Sequence, residues 1–243
     1  GTHSIASLLE KHRTIHEPDE IFMINLINIM KQSNLSSVKL KSIIKTRDMA
    51  NWLEMESSHY AGYFVDTLNE LYPSSKFILT VRDCISWMDS WFNHQLSRPR
   101  LNNNSIYSVG RANYYDRDMP YTKHDQLLEG LNLFPIKAYL SFWNEHNLKV
   151  LNTVPNERLL TIKTHEITNS TLKISQFLDI DINSINAKRS HDFKAKGKHN
   201  ILNKIDKNYL YDTAMEICGD LNDSLFPEKT VKLAITTLLK KTL

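Results

Sequence analysis

LYPSSKFILTVRDCISWMDSW, Leu71 to Trp91, decides how the rest of the chain is read. A turn at Pro73-Ser74-Ser75 leads into the apolar run Lys76-Phe77-Ile78-Leu79-Thr80-Val81. The charged pair Arg82-Asp83 follows, and then a helix carrying Trp87, Ser90 and Trp91. A short unbroken apolar run with β-branched content suits a strand buried on both faces of a parallel sheet. In open α/β sheets ligands sit at the carboxyl ends of the strands, which is where Arg82 falls. Ser90 comes eight residues later, two helical turns on. An arginine fork and a short hydroxyl donor so placed can grip one phosphate from two sides. A surface Arg82-Asp83 pair with a serine on a wet helix face is the plainer alternative.

The chain has 243 residues and a formal charge of +3. That length allows a sizeable core, and no composition break marks a linker, so one α/β domain over residues 1–243 is expected. No dense Lys/Arg stripe is interleaved with aromatics, which argues against a nucleic-acid partner. Cys84 and Cys218 lie far apart without metal-ligand spacing, so no metal site is expected. Buried inert thiols in a reduced compartment fit them best. No apolar run is long enough for a membrane span, and no signal peptide is visible. A cytoplasmic setting is favoured on these grounds. The abrupt opening on GTHS leaves the Golgi lumen open, because residues upstream of it are expected.

At the front, Gly1-Thr2-His3-Ser4 precedes Ile5, Leu8 and Leu9, which share one helix face. Thr2 or Ser4 is a suitable N-cap, and a helix start offers backbone N–H groups and a positive dipole end to an anion. It is not a Walker A loop, which needs GxxxxGK[ST]. In Thr14-Ile15-His16-Glu17-Pro18-Asp19 the proline pushes Glu17 towards an extended conformation, so a short strand is expected. Helices are expected over Ile21–Met30 and Leu35–Met49, the second capped by Ser36 or Ser37. Lys39, Lys41, Lys45 and Arg47 read as its solvated face. Asn51–Glu56 reads as a strand, and a helix from Tyr60 to Leu71 sets His59 just past the strand's carboxyl end. Residues 97–131 are polar and Asn- and Tyr-rich without periodicity, as in a lid or an acceptor flap. Tyr107, Tyr114, Tyr115 and Tyr121 suit either an acceptor pocket or a small core. Beyond it come a helix over Phe134–Val150, a strand at Leu159–Lys163 and a helix over Thr171–Leu178. A basic loop over Lys188–Lys207 and two terminal helices complete the chain. Strands alternating with helices indicate an α/β fold with a parallel sheet.

Taken together, four features resemble the sulfotransferases that use 3′-phosphoadenosine 5′-phosphosulfate (PAPS). GTHS is similar to the loop that cradles the 5′-phosphosulfate. KFILTVRDCISWMDS is similar to the 3′-phosphate element, an apolar strand followed by Arg and then Ser. LSFWNEHNLKVLNTVPNERLLTIKTHEI with LKISQFLDI looks like the late helix–strand–helix, and KAKGKHN falls where a basic glycine-containing segment closes over the cofactor. The resemblance runs from Gly1 to about Lys207. It implies a three-layer, P-loop-like architecture with a central parallel sheet flanked by helices, whose first strand lies upstream of Gly1. In the family a Lys or Arg just before the Gly-Thr of the loop contacts the transferring group, and here that residue too would precede Gly1.

Carried over residue by residue, the resemblance gives Gly1, Thr2, His3 and Ser4 the 5′-phosphosulfate, and Arg82 and Ser90 the 3′-phosphate. Lys196, Gly197 and Lys198 would close over the cofactor. The implied reaction is sulfuryl transfer to a hydroxyl or amine of a small molecule or glycan, leaving 3′-phosphoadenosine 5′-phosphate (PAP), without a metal. His59 and Glu17 compete as general base. Imidazole is poised near neutral pH, whereas Glu17 would need its pKa raised by burial, so His59 is preferred and His16 is a weaker third. Ser4 departs from the aromatic residue that several members place against adenine, so adenine contacts stay unassigned. The alternatives are a P-loop-like nucleotide kinase, disfavoured by the missing GK[ST], and a non-catalytic relative that binds a glycan or a protein partner.

Overall fold

A computed structural model describes residues 1–97, 106–108, 110, 115, 119–189 and 197–240. In chain order its main elements are α1 (Thr2–Leu8), β1 (Thr14–His16), α2 (Glu20–Gln32), α3 (Ser37–Asn51), β2 (Met55–Ser57), α4 (Val65–Leu71), β3 (Phe77–Val81) and α5 (Cys84–Leu96). There follow α6 (Gln126–Gly130), α7 (Ile136–Thr153), β4 (Leu159–Lys163), α8 (Thr171–Leu178), α9 (Lys207–Leu225) and α10 (Val231–Lys240). The chain divides into two compact units, each made of two separate segments. One comprises Gly1–Val81 and Lys149–Lys194, the other Arg82–Leu148 and Ala195–Leu243.

The four strands among the described residues all belong to the first unit. β1 runs parallel to β2 with His16 opposite Ser57, and β3 runs parallel to β4 with Val81 opposite Lys163. Parallel neighbours need long crossover connections, which the intervening helices supply. Among the described residues the strands thus make two two-stranded parallel sheets in a mostly helical α/β fold, rather than one visible central sheet. α1 ties them together. Its apolar face, Ile5, Leu8 and Leu9, packs with Leu160 and Ile162 of β4 and with Ile167, Ile174 and Ile185. Full burial of a leucine such as Leu8 is worth ~2 kcal/mol. At the start of α1, the Ser57 hydroxyl donates to the Thr2 carbonyl at 2.8 Å. Gly1 lies against β3 so closely that a β-carbon there would meet Thr80 Oγ1 at 2.3 Å.

Several local expectations are corrected. Gly1, not Thr2 or Ser4, is the N-cap of α1, and no side chain caps it. Ser36, one of the two serines expected to cap α3, does so by accepting from the Lys39 amide at 3.3 Å. α3 continues to Asn51 and ends with Trp52 left-handed, which shortens the expected strand at 51–56 to Met55–Ser57. The helix expected from Tyr60 begins as a 3-10 turn, Tyr60–Phe64, before α4. Glu17 is not extended: its φ is 49°, and Asp19 follows at 54°.

In the second unit α5 packs against α9 and α10. Asp83 caps α5 by accepting from the Ser86 amide at 2.9 Å. The Cys84 amide donates to Asn222 Oδ1 on α9 at 3.0 Å. Phe92, Tyr115 and Tyr139 form an aromatic core, Tyr139 meeting Phe92 edge-on at 4.9 Å. Tyr115, from the tyrosine-rich stretch, is 1 % exposed and so belongs to this core. Tyr121 donates its hydroxyl to the Leu133 carbonyl at 2.7 Å. Tyr114 lies outside the described residues. No helix among the described residues is long and apolar enough to cross a membrane.

Candidate active site

The predicted residues fall into two groups, one in each unit. In the first unit the parallel register of β1 and β2 sets their carboxyl ends side by side, so the residues that follow them meet. Glu17 follows His16 directly, and its amide donates to the Ser57 carbonyl at 3.0 Å, extending the pairing by one bond. His59 follows Ser57 by two residues. Its Nδ1 lies 2.5 Å from Glu17 Oε1. The two candidates read as rivals are therefore partners.

Burial pushes the Glu17 carboxyl up, but the hydrogen bond with His59 and the nearby charges of His59, His16 and His3 prevail and hold it below its ordinary value. Glu17 is thus a carboxylate at neutral pH, but a weakly basic one, whereas a carboxyl base needs its pKa raised. A carboxylate only accepts, so Nδ1 of the neutral imidazole carries the proton and Nε2 keeps the lone pair. That arrangement makes Nε2 a proton acceptor and Glu17 the group that fixes the ring.

His16 connects the pair to the start of α1. Its Nε2 lies 3.0 Å from Thr2 Oγ1 and 3.7 Å from Glu17 Oε1. Its ring stacks on His3 at 3.5 Å. Burial lowers its pKa to about 4 against the opposing Glu17 carboxylate, so it is neutral at physiological pH. Thr2 spends its hydroxyl on this contact rather than on capping. Thr2, His3 and Ser4 supply first-turn N–H groups, which have no acceptor within the helix and suit an anion. The absence of room for a β-carbon at Gly1 keeps this turn close to the carboxyl end of β3. The residues present are compatible with an anionic group at this turn.

In the second unit Arg82 opens the segment before α5. Burial lowers its pKa from the ordinary value, with Asp83 and Asp89 opposing, and the guanidinium stays charged. Its carbonyl accepts from Trp143 Nε1 at 3.0 Å. Asp83 has a second cation beside it, because Lys229 Nζ lies 2.5 Å from Asp83 Oδ2. Ser90 is half-buried on α5. One turn along, Asn93 Oδ1 accepts from the His199 amide at 2.6 Å, and Ser97 Oγ lies 3.2 Å from His199 Nε2. Gly197 and the exposed Lys198 therefore run beside the helix that bears Ser90. Lys196 lies outside the described residues. Sequence reasoning missed Lys229 and Arg47, whose partners are remote in the chain.

No curated protein matches the chain. The model of a family described as a sulfotransferase domain matches residues 56–192, more than half of the 243 residues. The match takes in His59, Arg82 and Ser90, and it leaves Gly1–Ser4, Glu17, Gly197 and Lys198 to the structural argument alone. On that match the chain belongs to the sulfotransferase family.

Proposed function

We propose that the chain transfers a sulfuryl group from PAPS to a hydroxyl or amine of a small-molecule or carbohydrate acceptor. The observation that carries this reading is the 2.5 Å contact of His59 Nδ1 with the Glu17 carboxylate, set beside the start of α1 through His16 and Thr2. In this reading Thr2, His3 and Ser4 hold the 5′-phosphosulfate through backbone N–H groups. Arg82 and Ser90 hold the 3′-phosphate, and Lys196, Gly197 and Lys198 close over the cofactor. PAPS, when bound, supplies the sulfuryl group and a leaving phosphate. His59 Nε2 takes the acceptor's proton as the new bond to sulfur forms, and Glu17 steadies the resulting imidazolium.

The reading includes a single catalytic domain over residues 1–243 with a three-layer, P-loop-like sheet. The start of α1 reaches both sheets, through the Ser57 hydroxyl on the Thr2 carbonyl and the approach of Gly1 to Thr80. The reading also includes a cytoplasmic setting, in keeping with two buried free cysteines.

PAP should raise the melting temperature well above any effect of AMP or ADP, because a ligand at ~100 times its Kd adds ~2.7 kcal/mol. His59→Gln should keep that shift and lose sulfuryl transfer. An equal response to all three nucleotides sinks the proposal, and Mg²⁺-dependent phosphoryl transfer from ATP would replace it with a kinase.

A further inference from the structure

The turn that presents Glu17 is strained and has to be held. Glu17 and Asp19 both occupy the left-handed region, with Pro18 between them. Each such non-glycine residue costs ~1–3 kcal/mol and persists only where its surroundings impose it. The surroundings here converge on Arg47 of α3, a residue that helical patterning assigns to solvent but whose side chain is only 10 % exposed. Its Nη1 and Nη2 donate to the two oxygens of Glu56 on β2 at 2.7 and 3.1 Å. Nη2 also donates to the Pro18 carbonyl at 2.9 Å, and Nε lies 3.6 Å from Asp19 Oδ2. Asn51, one turn further along α3, donates to the same Asp19 oxygen at 2.5 Å.

We infer that Arg47 is a positioning residue for the Glu17–His59 pair. Glu56 anchors the guanidinium to the strand that leads to His59, and the Pro18 carbonyl anchors the turn that carries Glu17. One rigid fork therefore fixes the separation between carboxylate and imidazole. Lysine cannot replace it, since a single ammonium does not span two carboxylate oxygens and a carbonyl in a fixed plane. The inference rests on the catalytic reading of the pair, but its test does not require turnover.

The readout is the tautomer of His59, recorded by long-range ¹H–¹⁵N spectra at a pH well above the ordinary histidine pKa and assigned by comparison with His59→Gln. The wild-type chain should show Nδ1–H, fixed by the Glu17 carboxylate. Glu17→Gln should lose that preference, and Arg47→Met should lose it equally although Glu17 is still present. Thermal unfolding confirms that the variants are folded, and Arg47→Lys serves where Arg47→Met is not. Retention of Nδ1–H in a folded Arg47 variant overturns the inference, as does its absence from the wild-type chain.

Turnover, read with a simple phenol as acceptor and PAPS as donor, gives a second check. Arg47→Met should lower kcat about 10²-fold with the KM for PAPS held. In a Glu17→Gln background it should cost less than about twofold, the range expected once the shared partner has gone. Full multiplication of the two losses overturns the inference while leaving the Glu17–His59 pair intact. If His59→Gln and Glu17→Gln leave turnover unchanged, the catalytic reading fails instead.

Discussion

Lys229 Nζ lies 2.5 Å from Asp83 Oδ2, and this ammonium answers a carboxylate that is only 3 % exposed. Lys229 also donates to Ser86 Oγ at 2.7 Å, so it reaches both the N-cap of α5 and the first turn behind it. Removing Lys229 leaves a buried charge uncompensated, whereas neutralising Asp83 leaves a half-exposed lysine that water can solvate. Lys229→Met should therefore destabilise the chain by about 2–3 kcal/mol, and Asp83→Asn by about 1 kcal/mol because the amide can still cap. In Asp83→Asn/Lys229→Met the combined loss should be smaller than the sum, as urea titrations of the four proteins would show. Strict additivity would mean the two charges do not sense each other.

Lys229 bonds Asp83, and the charges of Asp83 and Asp89 act on the Arg82 guanidinium beside them. Arg82→Ala should weaken PAP binding roughly 10–100-fold, the worth of a charge-assisted contact to phosphate. Ser90→Ala should weaken it by roughly 3–10-fold, as for one neutral hydrogen bond. Neither change should alter AMP binding much, since AMP lacks the 3′-phosphate. Calorimetric titration of both nucleotides decides the matter, and equal losses for PAP and AMP would remove the 3′-phosphate from Arg82.

How legible the site was depended on how far apart in sequence its partners lie. The strand at Phe77–Val81 and the Arg82-Asp83 step after it could be read locally, because an apolar run and the charged pair that ends it are contiguous features. Glu17 and His59 were each singled out for standing at a strand end. Their contact was not readable, because it follows from the register of β1 on β2, which the order of residues does not contain. Arg47 was misread outright. Its partners are Glu56, nine residues on, and Pro18, twenty-nine back, so helical spacing saw only one more cation on a basic face. Asn51-Trp52-Leu53 was misread for a local reason. The expected strand starts at Asn51, but the Trp52 amide still bonds to the Asp48 carbonyl and closes α3 instead.

The two thiols should be inert in the folded chain. Cys84 and Cys218 are both buried. Hydrogen bonding to Cys218 and burial push the Cys84 thiol well above its ordinary pKa, and the nearby Asp83 carboxylate acts in the same direction. Thiolate is the reactive form, so protonation adds to burial in opposing alkylation of Cys84, and burial opposes it at Cys218. Iodoacetamide at neutral pH should label neither cysteine in buffer and both in concentrated urea, as intact mass would report. Rapid labelling of Cys84 in the native chain would contradict the packing of α5 on α9.

Acid should weaken the fold in two separable windows. His16 has its pKa lowered from 6.5 to about 4 by burial, so between those values the unfolded chain binds a proton that the folded one does not. Stability is therefore at its full value above pH 6.5 and is lost as the pH falls towards 4. Glu17 acts lower down. Its carboxyl is held below the ordinary 4.5, so its contribution is present above that value and is lost as the pH drops through the folded pKa. His16→Gln, which can still meet the Thr2 hydroxyl, should flatten the upper window and leave a narrower lower one, since the His16 charge is one of those holding the Glu17 carboxyl down. Glu17→Gln should remove the lower window and extend the upper one to lower pH, because the carboxylate that opposes the His16 shift has gone. Urea midpoints measured across the acid range for the three proteins would separate the two. A His16→Gln variant that loses stability between pH 6.5 and 4 as steeply as the wild-type chain would show that His16 is not the group titrating there.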